Sequence, residues 1–206
     1  MQLKSFIIPM AIACLSCSAF AAAKTKTATT ETIVFMRHGE KPAGGYGQLT
    51  CQGLNRSLKL PDVLITRYGQ PDAIYAPDPA ATQVSDPAGT FDYVRPLATI
   101  EPTAIRLGMP VNTPYGFTDI SDMKDTLLGD DLRSSTVFVA WEHSQLVKLV
   151  KKLVKDTGGD DSMVPKWSDS DFDSLYVLTI VRSGKTTTAS LQQDSEGLNG
   201  LPVTCP

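Results

Sequence analysis

The sequence predicts an α/β fold in which strands alternate with helices and the chain closes in an antiparallel hairpin. Three stretches carry this reading. Residues 33–36, Ile-Val-Phe-Met, form an apolar run with two β-branched residues and an aromatic, which reads as a buried strand. Residues 136–141, Thr-Val-Phe-Val-Ala-Trp, form the clearest strand and run straight into a helix over 144–155. That helix turns Leu146, Leu149, Val150 and Leu153 inward and four lysines outward. Residues 175–181 and 186–191 are two further strands, and Ser183-Gly184-Lys185 between them makes a hairpin.

The totals fit one globular unit. Of 206 residues, 42% are hydrophobic and 20% charged, a folded balance at the length of a single domain. The net charge of -3 gives no electrostatic ground for a nucleic-acid partner or an anionic membrane surface. An anionic substrate would have to be held by local cations.

The N-terminus reads as a secretory signal peptide over residues 1–21. Lys4 precedes an apolar stretch over 6–23, and Ala19-Phe20-Ala21 is an A-x-A-type cleavage site. A membrane anchor fits less well, because Pro9, Ser16 and Ser18 interrupt the run. A lipoprotein signal would want a leucine three residues before a cysteine; Cys14 has Ala11 there and Cys17 has Cys14. The expected location is periplasmic or secreted, with no stable membrane insertion after cleavage. Residues 22–31, Thr- and Lys-rich, are expected to be a flexible leader, and the folded domain is placed at 32–206. Cleavage leaves two cysteines, Cys51 and Cys205. In an oxidising compartment they are expected to bridge; the competing reading is two buried thiols.

The first strand breaks into Arg37-His38-Gly39-Glu40. If the sheet is parallel, these residues lie at a strand's carboxyl end, where α/β sheets place ligands. Gly39 allows a tight turn and close approach to a ligand. A loop, 43–47, follows, and then a helix that Thr50 caps. Leu54, Leu58 and Leu60 give it a partial stripe before Pro61. Arg56 lies on this helix, where an exposed position is expected, the alternative being a side chain turned toward the site. The strand 136–141 repeats the design, ending in Glu142-His143. The chain's two histidines, His38 and His143, thus occupy equivalent strand ends.

These segments resemble the histidine phosphatase superfamily, in its phosphoglycerate mutase-like branch. The resemblance rests on Arg37-His38-Gly39 after a first strand and on the order Leu-Thr-x-x-Gly-x-x-Arg over 49–56. It rests also on Arg95 with Thr99, Glu101 and Ala104 behind it, and on His143 after the later strand. It implies a three-layer sandwich with a mostly parallel central sheet, helices on both faces and the C-terminal hairpin. One departure stands out. After a short strand at 73–76 the family has a serine-bearing turn leading into a helix, whereas here Pro77-Asp78-Pro79 opens a long stretch to Tyr93. That stretch is expected to be an insertion shaping substrate choice.

The resemblance also implies roles. Arg37 and Arg95 would grip phosphate oxygens, since a guanidinium meets them in bidentate fashion. His38, neutral, would be the nucleophile that forms a phosphohistidine, and His143, protonated, would donate to an equatorial oxygen. A carboxylic acid must protonate the leaving oxygen. Residues 109–111 resemble the family's next short strand, and a forward count from them reaches Asp119; Glu142, beside His143, is the alternative. Alternation along a strand counts against Glu142 unless the strand has already ended. No metal and no cofactor are required, and the partner is a small phosphorylated substrate. The implied function is an exported phosphatase of phosphomonoesters. Two alternatives are a mutase-like phosphotransferase and an inactive protein that binds a phosphorylated ligand.

Overall fold

The computed structural model of the protein describes Gln2 and residues 27–206. The expected signal peptide lies outside the described residues save Gln2, as do residues 22–26 of the leader. The end of that leader is not a leader: strand β1 runs Thr29–Arg37, so Thr29 to Glu31 belong to the sheet.

Helix α1 (Cys51–Tyr68) follows β1, then strand β2 (Ala73–Tyr75) and a small hairpin of β3 (Val84–Asp86) and β4 (Gly89–Phe91). Helices α2 (Arg95–Leu107) and α3 (Ile120–Leu127) lead to β5 (Thr136–Trp141), α4 (His143–Asp156), β6 (Ser174–Ser183) and β7 (Thr186–Ser195). The main sheet has the order β2-β5-β1-β6-β7. Strands β2, β5 and β1 are parallel, and β6 and β7 pair antiparallel. The expected α/β sheet with its C-terminal hairpin is what forms.

Alternation along β1 and β5 divides the core in two. Ile33, Phe35, Val137 and Val139 face α3 and α4 and pack with Leu146, Leu149, Val150 and Leu153. Val34, Met36, Phe138 and Ala140 face α1 and α2 and pack with Leu60, Leu64, Ile100 and Ala104. Period-two side chains on a doubly covered sheet give two cores and a continuous apolar run in sequence.

Three local expectations need correction. Helix α1 continues through Pro61 to Tyr68, and its inward face is set by Leu60 and Leu64, while Leu54 and Leu58 are exposed. Arg56 is fully buried rather than exposed. The segment 109–111 forms no strand, only an isolated parallel bridge between Tyr75 and Asn112. Cys51 and Cys205 are joined by a disulfide, which ties the tail to the first turn of α1. Closing a loop of that length contributes roughly 4–5 kcal/mol in the chain-entropy view. Among the described residues, no helix is long and apolar enough to cross a membrane.

Candidate active site

Parallel register brings the two histidine-bearing strand ends together. Arg37 of β1 lies opposite Trp141 of β5, and the His38 N–H donates to the Trp141 carbonyl at 3.2 Å. Strand β5 ends at Trp141, so Glu142 is the N-cap of α4 and accepts from the Gln145 N–H at 2.7 Å. His143 opens that helix beside His38's strand end.

Arg95 arrives from the second helix layer. The Gly39 N–H donates to Thr99 Oγ1 at 2.9 Å, and that hydroxyl donates to the Arg95 carbonyl at 2.8 Å. This chain fastens the first turn of α2 to the turn behind His38. Pro96 suits such a first turn, where its missing N–H costs nothing. Tyr93, unnoticed in the sequence, joins the group: its ring meets His38 edge-on at 6.0 Å, and the Arg95 guanidinium lies over it at 4.7 Å.

His38 is prepared as a neutral imidazole. Its Nδ1 lies 2.7 Å from the Gly39 carbonyl, which can only accept, so Nδ1 carries the proton and Nε2 keeps its lone pair. Burial pushes its pKa down to about 3, and the positive charges of Arg37 and Arg95 add to the fall while Gly39 opposes it.

Two loops close over the cations. From the insertion, Asp86 takes Arg95 on both nitrogens, at 2.7 and 3.4 Å, and accepts the Gly47 N–H at 2.9 Å. Burial raises the Asp86 pKa, but Arg95 and the Gly47 N–H outweigh it and leave the group below its usual value. From the loop after α4, the carbonyls of Ser168, Asp169 and Asp171 accept from Arg37 Nη1 at 3.2, 2.8 and 2.8 Å. The Phe172 ring lies 4.0 Å from the Arg37 guanidinium. The Asp169 carboxylate sits 2.7 Å from His143 Nε2. Arg37 and His143 therefore hold the same residue. Arg37, His38 and Arg95 are only 1–2% exposed in this closed arrangement.

Satisfaction is incomplete. Among the described residues, four buried polar atoms of this region lack a hydrogen-bond partner: Arg37 Nε, Arg95 Nε, the Tyr93 hydroxyl and His143 Nδ1. Such a group costs about 1–3 kcal/mol when left unpaired, and buried orphans are rare in folded proteins. Arg37, Arg95 and Tyr93 lie beside His38, whereas His143 Nδ1 faces the Glu142 carboxylate at 2.6 Å.

The two candidate acids differ. Glu142 is committed: besides its cap bond, Oε1 lies 2.6 Å from His143 Nδ1, off hydrogen-bond alignment. Burial raises its pKa, but His143 and the Ser144 and Gln145 N–H groups overcome that and bring it to about 2. Asp119 is half-buried just before α3 and accepts the Gly116 N–H at 3.0 Å. Its loop reaches the site through Phe117, whose ring packs on Tyr93 at 4.7 Å and whose carbonyl accepts from Trp141 Nε1 at 2.8 Å.

No protein-family model matches the chain, and no curated protein matches it. Solved structures do match. A mycobacterial protein described as hydrolase 2 is 14% identical, with a TM-score of 0.52 over 79% of this chain and 89% of that one. A protein assigned as the phosphohistidine phosphatase SixA of Nakamurella multipartitia is 14% identical, with a TM-score of 0.52 over 82% and 97%. The native mycobacterial glucosyl-3-phosphoglycerate phosphatase Rv2419c is 13% identical, with a TM-score of 0.52 over 79% and 97%. The molecule is thus an α/β sandwich with a histidine at each of two adjacent parallel strand ends. Its fold is that of the histidine phosphatases.

Proposed function

We propose that the protein is an exported histidine phosphatase that hydrolyses small phosphomonoesters through a phosphohistidine on His38. The observation that carries this reading is the set of unpartnered Arg37, Arg95 and Tyr93 atoms beside one neutral, buried imidazole. A phosphomonoester brings about two negative charges and a transition state with charge on its equatorial oxygens. Two guanidiniums, a hydroxyl and a second imidazole suit those oxygens.

In the first step the His38 Nε2 lone pair attacks phosphorus while the bond to the leaving oxygen breaks. Asp119 gives that oxygen its proton. In the second step the Asp119 carboxylate takes a proton from water as the water attacks phosphorus. The P–N bond breaks and inorganic phosphate leaves. Glu142, ionised and capping α4, orients His143 and is not the acid. The substrate phosphate displaces Asp86 from Arg95 and Asp169 from His143, so entry and loop opening are one event. The signal-like residues 1–21 and the disulfide support export.

Hydrolysis of p-nitrophenyl phosphate by wild type and His38→Ala tests the reading. The variant is expected to keep its circular dichroism and melting profile and to lose turnover. Wild-type turnover in a folded His38→Ala protein would refute it.

A further inference from the structure

A second cavity adjoins the candidate active site, and its walls are basic. It has a volume of about 290 Å³ and is lined by Ser144, Val147, Lys148 and Lys151 of α4 and by Lys166 and Trp167 of the following loop. The lysines of α4 read in the sequence as an ordinary solvated face. The structure singles out two of them and adds a third from elsewhere in the chain.

The cavity is joined to the site at two points. Ser144 Oγ lies 3.4 Å from His143 Nε2. Trp167 Nε1 donates to the Asp171 carbonyl at 3.0 Å, and the same carbonyl accepts from Arg37 Nη1 at 2.8 Å. One turn of chain, carrying Asp169, separates the two spaces, and it is the turn that must move for a phosphate to reach His143. Lys148 and Lys151 lie five and eight residues beyond His143, or about 8 and 12 Å along the helix axis. Helical side chains lean toward the N-terminus, here toward His143. The lysine ion pairs among the described residues all involve Lys124, so Lys148, Lys151 and Lys166 have no acidic partner. Asp169 pairs with His143 at 2.7 Å, and in the proposed mechanism it leaves that place when substrate enters.

We propose that this cavity is a subsite for a second phosphate, carried by the substrate about 8–12 Å from the phosphate that is transferred. The preferred substrate is then an extended bisphosphate rather than a simple monoester. Lys148, Lys151 and Lys166 supply the charge, and Val147 and Trp167 form an apolar wall. The inference rests on the phosphatase reading of the adjoining site.

The test compares fructose 1,6-bisphosphate with fructose 6-phosphate, which share a skeleton and differ by one phosphate. It uses wild type and a Lys148→Gln, Lys151→Gln, Lys166→Gln triple variant. The bisphosphate is expected to show a KM lower by about tenfold, the sum of three exposed charge contacts. That advantage should shrink as salt rises. In the triple variant the two substrates should become equivalent, while p-nitrophenyl phosphate turnover is unchanged. No preference in wild type, or a preference that survives the triple substitution, overturns the subsite and leaves the phosphatase reading standing. If wild type turns over nothing, the phosphatase reading fails instead. Calorimetric titration with the same two ligands then decides the subsite: tighter bisphosphate binding lost in the triple variant supports it, and equal binding overturns it.

Discussion

At the scale of single residues, the site works by separating two kinds of titratable group. His38 is held neutral by burial and by two neighbouring cations, with its pKa near 3. The lowered pKa predicts that the nucleophilic form persists well below pH 6.5 in the free enzyme, so a pH–rate profile should show no loss near the ordinary histidine value. Glu142 lies on the other side, ionised down to about pH 2. In the proposed mechanism Asp119 is the acid, and its substitution makes a sharp contrast. Asp119→Asn should slow hydrolysis of alkyl phosphates by roughly 10²–10⁴-fold and that of p-nitrophenyl phosphate far less, because nitrophenolate departs without a proton. Glu142→Gln should be milder toward both, acting through the α4 cap and His143. The reverse order in steady-state assays would move the acid to Glu142. Arg37, His38, Arg95 and His143 can be nominated from sequence because each stands at the end of a strand or the start of a helix, and because histidine is scarce. Tyr93 and the burial of Arg56 were not. Their positions follow from long-range packing, and Leu54 and Leu58 suggest an inward face one step away from the true one.

At the scale of elements, the two irregular stretches are the cover of the site. The insertion was expected beside the site, but its β3–β4 hairpin was not foreseen. Strands of three residues, Val-Ser-Asp and Gly-Thr-Phe, are too short to show a period. The hairpin is mated to the 43–47 loop. The Ala88 N–H donates to the Gly44 carbonyl, and a Cβ on Gly45 would lie 2.1 Å from Asp86 Cγ. This fit delivers the Asp86 carboxylate to Arg95, in the place where phosphate oxygens would bind. Asp86→Asn keeps an acceptor for Arg95 and the Gly47 N–H but removes the competing charge. Inorganic phosphate should then inhibit about tenfold more tightly, the worth of one charged hydrogen bond released. Weaker inhibition would mean that Asp86 holds Arg95 in position rather than competing for it.

At the scale of the whole molecule, a buried charge cluster joins the site turn to the tail. Arg56 is fully buried and receives Glu40 at 2.7 Å, Asp173 at 3.1 Å and Glu196 at 2.5 Å. Asp173 also accepts the Gly197 and Leu198 N–H groups, and Asn55 donates to the carbonyls of Pro202 and Thr204. The disulfide closes the same connection covalently. Three carboxylates share one guanidinium, and the most buried of them is Glu196. Burial pushes Glu196 up to about 8 against the pull of Arg56, with Asp173 and Glu40 adding to the rise. A carboxyl whose folded pKa is raised contributes stability that is full below its unfolded value, near 4.5. That contribution is lost as pH rises through 8. The melting temperature should therefore fall between about pH 5 and pH 8, and Glu196→Gln should flatten that slope. A slope unchanged by the substitution would assign the loss to other groups. The fold class was legible because two apolar strands and a hairpin announce it. This cluster was not, because its members are spread from Glu40 to Glu196.

The central claim is a covalent bond between phosphorus and His38, and trapping that bond tests it most directly. Wild-type protein mixed with a ³²P-labelled phosphomonoester and quenched in base within the first turnover should carry the label on the peptide containing His38. The label should be stable in base and lost in acid, as a phosphoramidate is. Turnover with no label on the protein, or label on a peptide other than the one holding His38, would contradict the account.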